Sequence, residues 1–451
     1  MGQLSEPLGS RLPHVTVPPP GPASQALADR LRRVESRGVT HLTAHWPIFW
    51  EEAAGTNVRD ADGNVYIDLT GAFGVALVGH TSRLARSAIA AQSERLIHGM
   101  GDIHPPVSKL ELLERLALIA PWPDAKVILS STGSEAVEAA LKTAQVASGR
   151  PGVIAFEGGY HGLTLGALAV TERGHFRAPF ERRVYGGVGF APFPDTVRDG
   201  AEGGAVSLEA VQRLLSSGAP NGDEIGAVIV EPVQARGGAR VPPAGFMAAL
   251  SDIARSAGAI LIADEIMTGL GRCGAVLASS RVGLVPDIVC VGKALGAGLP
   301  ISACLARGAV MDAWPQTDGE AVHTSTFLGH PLACAVAADF LDVLTTSDLA
   351  QRVEEEGNDL LAALTERLSG CRGVADVRGM GLLLGIEFAE GSGRSVGAGS
   401  RVAEGALKRG LIVLPAGDDG HVLELTPPIG LTHEQVHFVV EQLAEVIEEV
   451  L

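Results

Sequence analysis

Aromatic side chains make up only 4% of the 451 residues and charged ones only 19%, while 46% are hydrophobic. So little charge beside so much apolar material excludes a disordered chain. Cysteine is scarce as well. Cys273, Cys290, Cys304, Cys334 and Cys371 are odd in number and scattered, with no CxxC and no Cys/His ligand spacing. That excludes a disulfide scaffold and a cysteine-based metal site, and no metal is expected. No apolar run reaches the roughly 18 residues of a membrane span, and the N-terminus lacks the charged-then-apolar pattern of a secretion signal. The expectation is therefore a cytoplasmic protein without a membrane partner. Positive charge is the last shortage: 35 Lys and Arg face 52 Asp and Glu, a formal net charge of −17. Nucleic acid and anionic lipid repel such a chain, whereas a cationic small molecule is attracted.

What is abundant is Ala, Gly, Val and Leu, the material of buried parallel strands and close helix contacts. The length implies more than one substructure. Residues 1–25, with Pro7, Pro13, Pro18, Pro19, Pro20 and Pro22, read as a mobile or surface-laid arm. A helix is expected at 24–36, and residues 26–81, with a hairpin signalled by Asp62-Gly63, are assigned as the N-terminal part of a small domain. Residues 82–330 alternate helix and strand, with helices at 83–97 and 107–119. Strands are expected at 126–130, 152–156, 227–230, 259–263, 288–291 and 301–306. This is the signature of an α/β fold with a parallel sheet covered on both faces. Residues 195–222 read as a surface excursion around a short helical piece. Residues 331–451 supply long helices, strands at 374–388 and 411–425, and a last helix from 432, and are assigned as the C-terminal part of the small domain.

Functional residues collect at strand ends, where open α/β sheets hold their ligands. The run 288–291 delivers Lys293 into a glycine-rich bend; alone, this reads better as a solvated turn. Ser131-Thr132-Gly133-Ser134-Glu135 links a strand to a helix and offers free N–H groups to a phosphate, or is simply a capped helix start. Asp264 and Glu231 each end a strand with a carboxylate. Tyr160 and His161 stand in a glycine-rich loop. Together these supply an amine, an acid, a phosphate cup and a stacking face. Pyridoxal phosphate needs all four: the acid keeps its ring nitrogen protonated and so keeps the ring an electron sink.

The chain resembles the class III aminotransferases of the fold type I pyridoxal-phosphate enzymes from about Phe49 onward. The resemblance rests on Ser131-Thr132-Gly133-Ser134-Glu135-Ala136, Phe156-Glu157-Gly158-Gly159-Tyr160-His161-Gly162, Glu231-Pro232-Val233-Gln234, Asp264-Glu265-Ile266-Met267-Thr268-Gly269, Gly292-Lys293-Ala294-Leu295-Gly296 and Thr324-Ser325-Thr326-Phe327. It implies a large domain with a parallel or mixed sheet, a smaller α+β domain, and pyridoxal 5′-phosphate as cofactor. It further implies that Lys293 forms the Schiff base and shuttles the proton. Asp264 would pair with the pyridine nitrogen, Gly133 and Ser134 would hold the phosphate, and Tyr160 would stack on the ring. Glu231 would support the site from beneath, with Gln234 close by. Thr326 would reach the phosphate of the other subunit of a homodimer whose active sites lie at the interface. Phe49 and Phe73 fall where the family places substrate-facing aromatics.

Two positions depart from the family. Many members that use amino acids carry an arginine three residues before the C-terminal Pro-Pro, paired with a glutamate two residues after Glu-Pro-x-Gln. Here those positions are Glu424 and Arg236. The expectation is an ion pair of reversed polarity, which turns the site toward an amine or amino sugar. The resemblance leans toward aminotransferases of aminoglycoside antibiotic biosynthesis, such as those of the neomycin and gentamicin 6′ position. Alternatives are elimination or isomerisation on an amino sugar, an ω-amino-acid or diamine aminotransferase, and a decarboxylase or racemase. A non-catalytic regulator that holds the cofactor would call for a basic DNA-binding segment, and the proline-rich arm offers none.

Overall fold

Seven strands make the central sheet of the computed structural model, which describes residues 8–391 and 393–451. In spatial order these are Lys126–Ser130, Ser302–Ala306, Ile288–Val291, Ile260–Asp264, Ile225–Val230, Gly152–Phe156 and Val188–Ala191. Strand Ser302–Ala306 runs antiparallel to both neighbours, and the other adjacent pairs are parallel. The near-continuous apolar runs follow from this arrangement, because helices cover both faces. Every residue of Ile225–Val230 and Ile288–Val291 is buried.

Two smaller sheets are built from both ends of the chain. Trp50–Ala54, Asn57–Asp60 and Val65–Asp68 form a meander, and Leu411–Ile412 adds in parallel to Val65–Asp68. The second runs Val374–Met380, Leu383–Glu390, Val422–Leu425, Leu414–Ala416. One apolar cluster joins Ile67 and Leu69 to Leu384, Leu423 and the final helix His433–Val450. The Asp62-Gly63 turn closes its hairpin as expected, with Gly63 at φ 84°.

The first seven residues of the proline-rich arm lie outside the described residues. From residue 8 the arm is laid on this hairpin. Asn57 Oδ1 accepts from Gly9 and Arg11 N–H, and Asn64 Oδ1 accepts from Thr16 and Val17 N–H. The helix that follows is Pro22–Val34.

Two readings need correction. Val188–Ala191 is a seventh strand that the sequence pattern did not mark, since Gly186-Gly187 and Gly189 mask its apolar content. The segment 195–222 is no excursion. It holds a fifteen-residue helix, Gly203–Ser217, whose buried Ser207, Ala210 and Val211 pack toward helix Phe246–Ser256. The Ser207 hydroxyl donates to the Pro192 carbonyl at 2.6 Å.

Candidate active site

The C-terminal ends of the central strands enclose a cavity of about 200 Å³ lined by Gly133, Ser134, Tyr160, His161, Gly162, Glu231, Arg236, Asp264, Ile266, Met267 and Lys293. Lys293 opens a short 3₁₀ turn at φ 41°. That left-handed conformation is costly for a residue with a side chain, and such strain concentrates at functional sites. The lysine has room because residue 74 lacks a side chain: a Cβ on Gly74, itself at φ +79°, would meet Met267 Sδ at 2.6 Å and Lys293 Cδ at 3.6 Å. Burial holds the ammonium pKa below its ordinary value, although Asp264, Glu424 and Glu231 pull the other way. A neutral amine is the form that acts as nucleophile and base.

Asp264 is 4% exposed and fully engaged. Oδ1 accepts from Ile266 N–H at 3.0 Å, and Oδ2 lies 2.7 Å from His161 Nδ1. Burial opposes charge on His161, but the Asp264 carboxylate outweighs it and raises the imidazole pKa. The contact with His161 fixes the Asp264 carboxylate in direction. Glu231 Oε1 accepts from Tyr160 N–H at 3.0 Å and Oε2 from Ala235 N–H at 3.1 Å. Desolvation pushes its carboxyl up to about 7. His161 was legible only as half of an aromatic pair; its partner stands on another strand, and no local signal marks it.

Thr132 and Glu135 form a capping box on helix Gly133–Ser148. Thr132 Oγ1 accepts from Glu135 N–H, and the Glu135 carboxylate accepts from Ser131 and Thr132 N–H. By helix geometry the N–H groups of Gly133 and Ser134 then have no intrahelical partner and point toward the cavity with the positive end of the dipole. Gly162 backs this cradle at φ +126°, where a Cβ would stand 2.1 Å from Ser134 Oγ. The motif is a capped helix, and the capping leaves the N–H groups of Gly133 and Ser134 available to an anion. The amine, the braced carboxylate, the half-buried Tyr160 ring and the cradle fit pyridoxal phosphate.

Arg272, which sequence reasoning passed over, is fully buried. Its guanidinium donates to the carbonyls of Leu382, Pro427 and Gly74, and desolvation lowers its pKa to about 10. It pins the glycine turn beside Lys293 to the small domain.

The chain from residue 39 to 447 matches the family model for class-III aminotransferases. The chain belongs to that family. It is 33% identical to an acetylornithine aminotransferase of Methanothermobacter thermautotrophicus over 94% of this chain and 99% of that protein. It is 32% identical to a putrescine aminotransferase of Pectobacterium atrosepticum over 92% of this chain and 85% of that one. An amine transaminase from an uncultivated Pseudomonas species, solved in its pyridoxal-phosphate-bound form, superposes with a TM-score of 0.84 at 29% identity. The match covers 92% of this chain and 98% of that chain. This class-III aminotransferase is a pyridoxal-phosphate enzyme that transfers amino groups, on the fold type I architecture with its large sheet domain.

Of the remaining expected residues Arg236 lines the cavity, whereas Glu424, Phe49, Phe73 and Thr326 stand off its wall. Arg236 Nη1 lies 3.8 Å from Glu424 Oε1, so the reversed pair is within ion-pair distance, with Glu424 one step behind the arginine. Phe73 is 62% exposed, at φ 59° in the turn before Gly74. Phe49 is half-buried and held through its backbone, its N–H donating to Ser24 Oγ. Thr326 is exposed and outside the cavity. No helix of the described residues is long and apolar enough to cross a membrane.

Proposed function

We infer that this aminotransferase takes a primary amine carrying a second cationic group, such as an aliphatic diamine or an amino sugar. The observation that carries this reading is Glu424: a 4%-exposed carboxylate behind the cavity wall, whose Oε2 has no hydrogen-bond partner among the described residues. A buried carboxylate with a free oxygen is an expensive arrangement, costing about 1–3 kcal/mol or more, and a substrate ammonium relieves it. The putrescine aminotransferase among the relatives fits the diamine side of this reading. An amino sugar, including an aminoglycoside, presents the same chemistry.

Pyridoxal phosphate, when bound, supplies the electron sink that makes the amine's Cα–H acidic. The chain's own groups do the rest. Gly133 and Ser134 N–H would receive the phosphate, Tyr160 would cover the ring, and Asp264, steered by His161, would keep the ring nitrogen protonated. Lys293 would bind the cofactor's aldehyde and, once displaced, carry the proton away from the substrate carbon as a neutral base. Glu231 braces the loop at Tyr160 from below. Thr326 would complete the phosphate cup of a second copy, which makes the working form a homodimer.

The test is a donor panel given to the purified holoenzyme with a 2-oxo acid: putrescine, an amino sugar, a neutral monoamine and an α-amino acid. The doubly cationic donors should lead by at least about tenfold in kcat/KM. Equal or better use of the α-amino acid overturns the reading.

A further inference from the structure

Four consecutive residues beside Lys293 run left-handed. Gly71, Ala72, Phe73 and Gly74 have φ of 51°, 50°, 59° and 79°, between Thr70 at −99° and Val75 at −74°. Residues with a side chain visit that region singly and at a cost in free energy. The two glycines adopt it freely; Ala72 and Phe73 do not, so the surrounding structure has to hold them. We propose that Asp68, oriented by His80, is the positioning residue that holds this turn and through it sets the placement of Lys293. The proposal rests on the role given to Lys293 above and is independent of which amine the enzyme takes.

Asp68 is fully buried, and both of its oxygens are engaged. Oδ1 accepts from Thr70 N–H at 2.8 Å and from the Thr70 hydroxyl at 2.6 Å, and Oδ2 accepts from Ala72 N–H at 3.0 Å. One carboxylate thus binds the residue that enters the turn and the first residue with a side chain strained within it. His80 Nε2 lies 2.8 Å from Oδ2 and fixes the carboxylate in direction. The imidazole is held in its turn. His80 exchanges backbone hydrogen bonds with Gly55 at 2.9 and 3.0 Å, and its ring meets the Trp50 ring edge-on at 5.7 Å.

The other end of the turn reaches the lysine. Gly74 N–H donates to the Thr70 carbonyl at 2.8 Å, which closes the turn across its whole length. The carbonyls at both ends are anchored, Thr70 O by the Thr426 hydroxyl at 2.7 Å and Gly74 O by Arg272 Nη2 at 3.3 Å. A Cβ on Gly74 would stand 2.6 Å from Met267 Sδ and 3.6 Å from Lys293 Cδ, so the turn abuts the stem of the lysine. Lys293 is itself at φ 41°, and two strained segments therefore meet at the amine. With Ala72 N–H released from Asp68, Ala72 and Phe73 would return toward negative φ and Gly74 would shift against Lys293. Asp68 does not line the cavity, so its part is to position and not to react.

If this is its part, removing the hold and removing the strain should cancel. Asp68→Asn keeps the shape and the acceptor for Thr70 but turns an amide N–H toward Ala72 N–H. Ala72→Gly lets residue 72 keep φ 50° without the carboxylate. The parent, both single variants and the double variant are compared at a temperature well below every thermal midpoint. Two quantities are read. One is kcat of the holoenzyme. The other is the rate at which the cofactor-free chain gains visible absorbance on addition of pyridoxal 5′-phosphate, which reports the Lys293 amine without turnover. Asp68→Asn should lower both at least about tenfold, as a misplaced reacting group does. Ala72→Gly alone should stay within about twofold of the parent, and the double variant should be at least about threefold faster than Asp68→Asn. A lower midpoint with both quantities unchanged overturns the proposal, since the turn then serves the fold alone. So does a double variant as slow as Asp68→Asn, because a glycine cannot replace a carboxylate that acts by its charge. If Asp68→Asn does not fold, His80→Ala takes its place: it should lower both quantities about threefold with the same rescue, and parent-like values overturn the proposal. Lys293→Ala keeps the two readings apart. It should gain no such absorbance, and a parent-like gain overturns the role of the lysine itself, whatever the Asp68 variants show.

Discussion

The two walls of the cavity hold buried charge in opposite ways. On the cofactor side, Asp264, His161 and Glu231 are each no more than 5% exposed, and every carboxylate oxygen there has a partner at 2.7–3.1 Å. On the other side, Arg236 on the wall and Glu424 behind it face each other across 3.8 Å with polar atoms left over. A fully bonded network is stiff and fixes directions. An under-bonded one stores unmet hydrogen bonds that a ligand can satisfy. In the proposed function Asp264 would meet the cofactor's ring nitrogen through every turnover, whereas substrates would come and go and differ in charge. The difference in bonding follows that difference in occupancy.

The comparison breaks most severely at Lys293. Lys293→Ala should lower transamination by at least about 10³-fold, because nucleophile and proton carrier are lost together. The far-UV circular dichroism should not change. Parent-like turnover in that variant would place the chemistry elsewhere. Next in size is Asp264→Asn, which should cost roughly 100-fold in kcat at an unchanged fold, since the amide cannot hold the ring nitrogen's proton. His161→Gln keeps a donor toward Asp264 but loses the charge. It should cost about tenfold and shift the pH profile, a signature that packing loss alone does not give.

These strand-end residues were also the most legible part of the sequence. Lys293, Asp264 and Glu231 each follow a short apolar run, and a sheet with helices on both faces leaves its strand ends as the natural ligand site. The Gly133-Ser134 cradle was legible because a capping box is local in sequence. His161 and Arg272 were not, because their roles are set by partners brought in by tertiary structure: Asp264 for the one, Leu382 and Pro427 for the other. Strand Val188–Ala191 was missed for a related reason. Its four residues owe their pairing to Gly152–Phe156 alongside, not to any pattern of their own. The charge reversal at Arg236 and Glu424 could be read, while the looseness of the pair could not.

A smaller effect should come from crowding the glycine turn beside Lys293. A Cβ at Gly74 would meet Met267 Sδ at 2.6 Å, at a φ of +79°. Gly74→Ala should therefore cost about 1–3 kcal/mol of stability from overpacking and push Met267 against Lys293. A lower thermal midpoint together with reduced kcat is expected. A midpoint shift without a kinetic change would mean that the turn supports the fold but does not set the lysine's position.

The subtlest change is Glu231→Gln, which separates the two walls by pH. Desolvation raises the Glu231 carboxyl from the ordinary 4.5 to about 7 in the folded chain. Between those values the folded chain binds a proton that the unfolded chain has released. Glu231 therefore contributes stability that is fully present below about pH 4.5 and is lost as the pH rises toward 7. The full swing is on the order of 3 kcal/mol, with the opposing pull of the His161 charge already within it. Glutamine does not titrate; its one carbonyl oxygen keeps the bond from either Tyr160 or Ala235 N–H and loses the other, a cost that is the same at every pH. Thermal midpoints of the cofactor-free chain measured from pH 4.5 to 7 should thus fall less steeply with rising pH in the variant than in the parent, with the two curves diverging toward neutrality. Parallel curves would mean that Glu231 stays ionised throughout, held by His161, and that the cofactor wall is bonded as a charged triad.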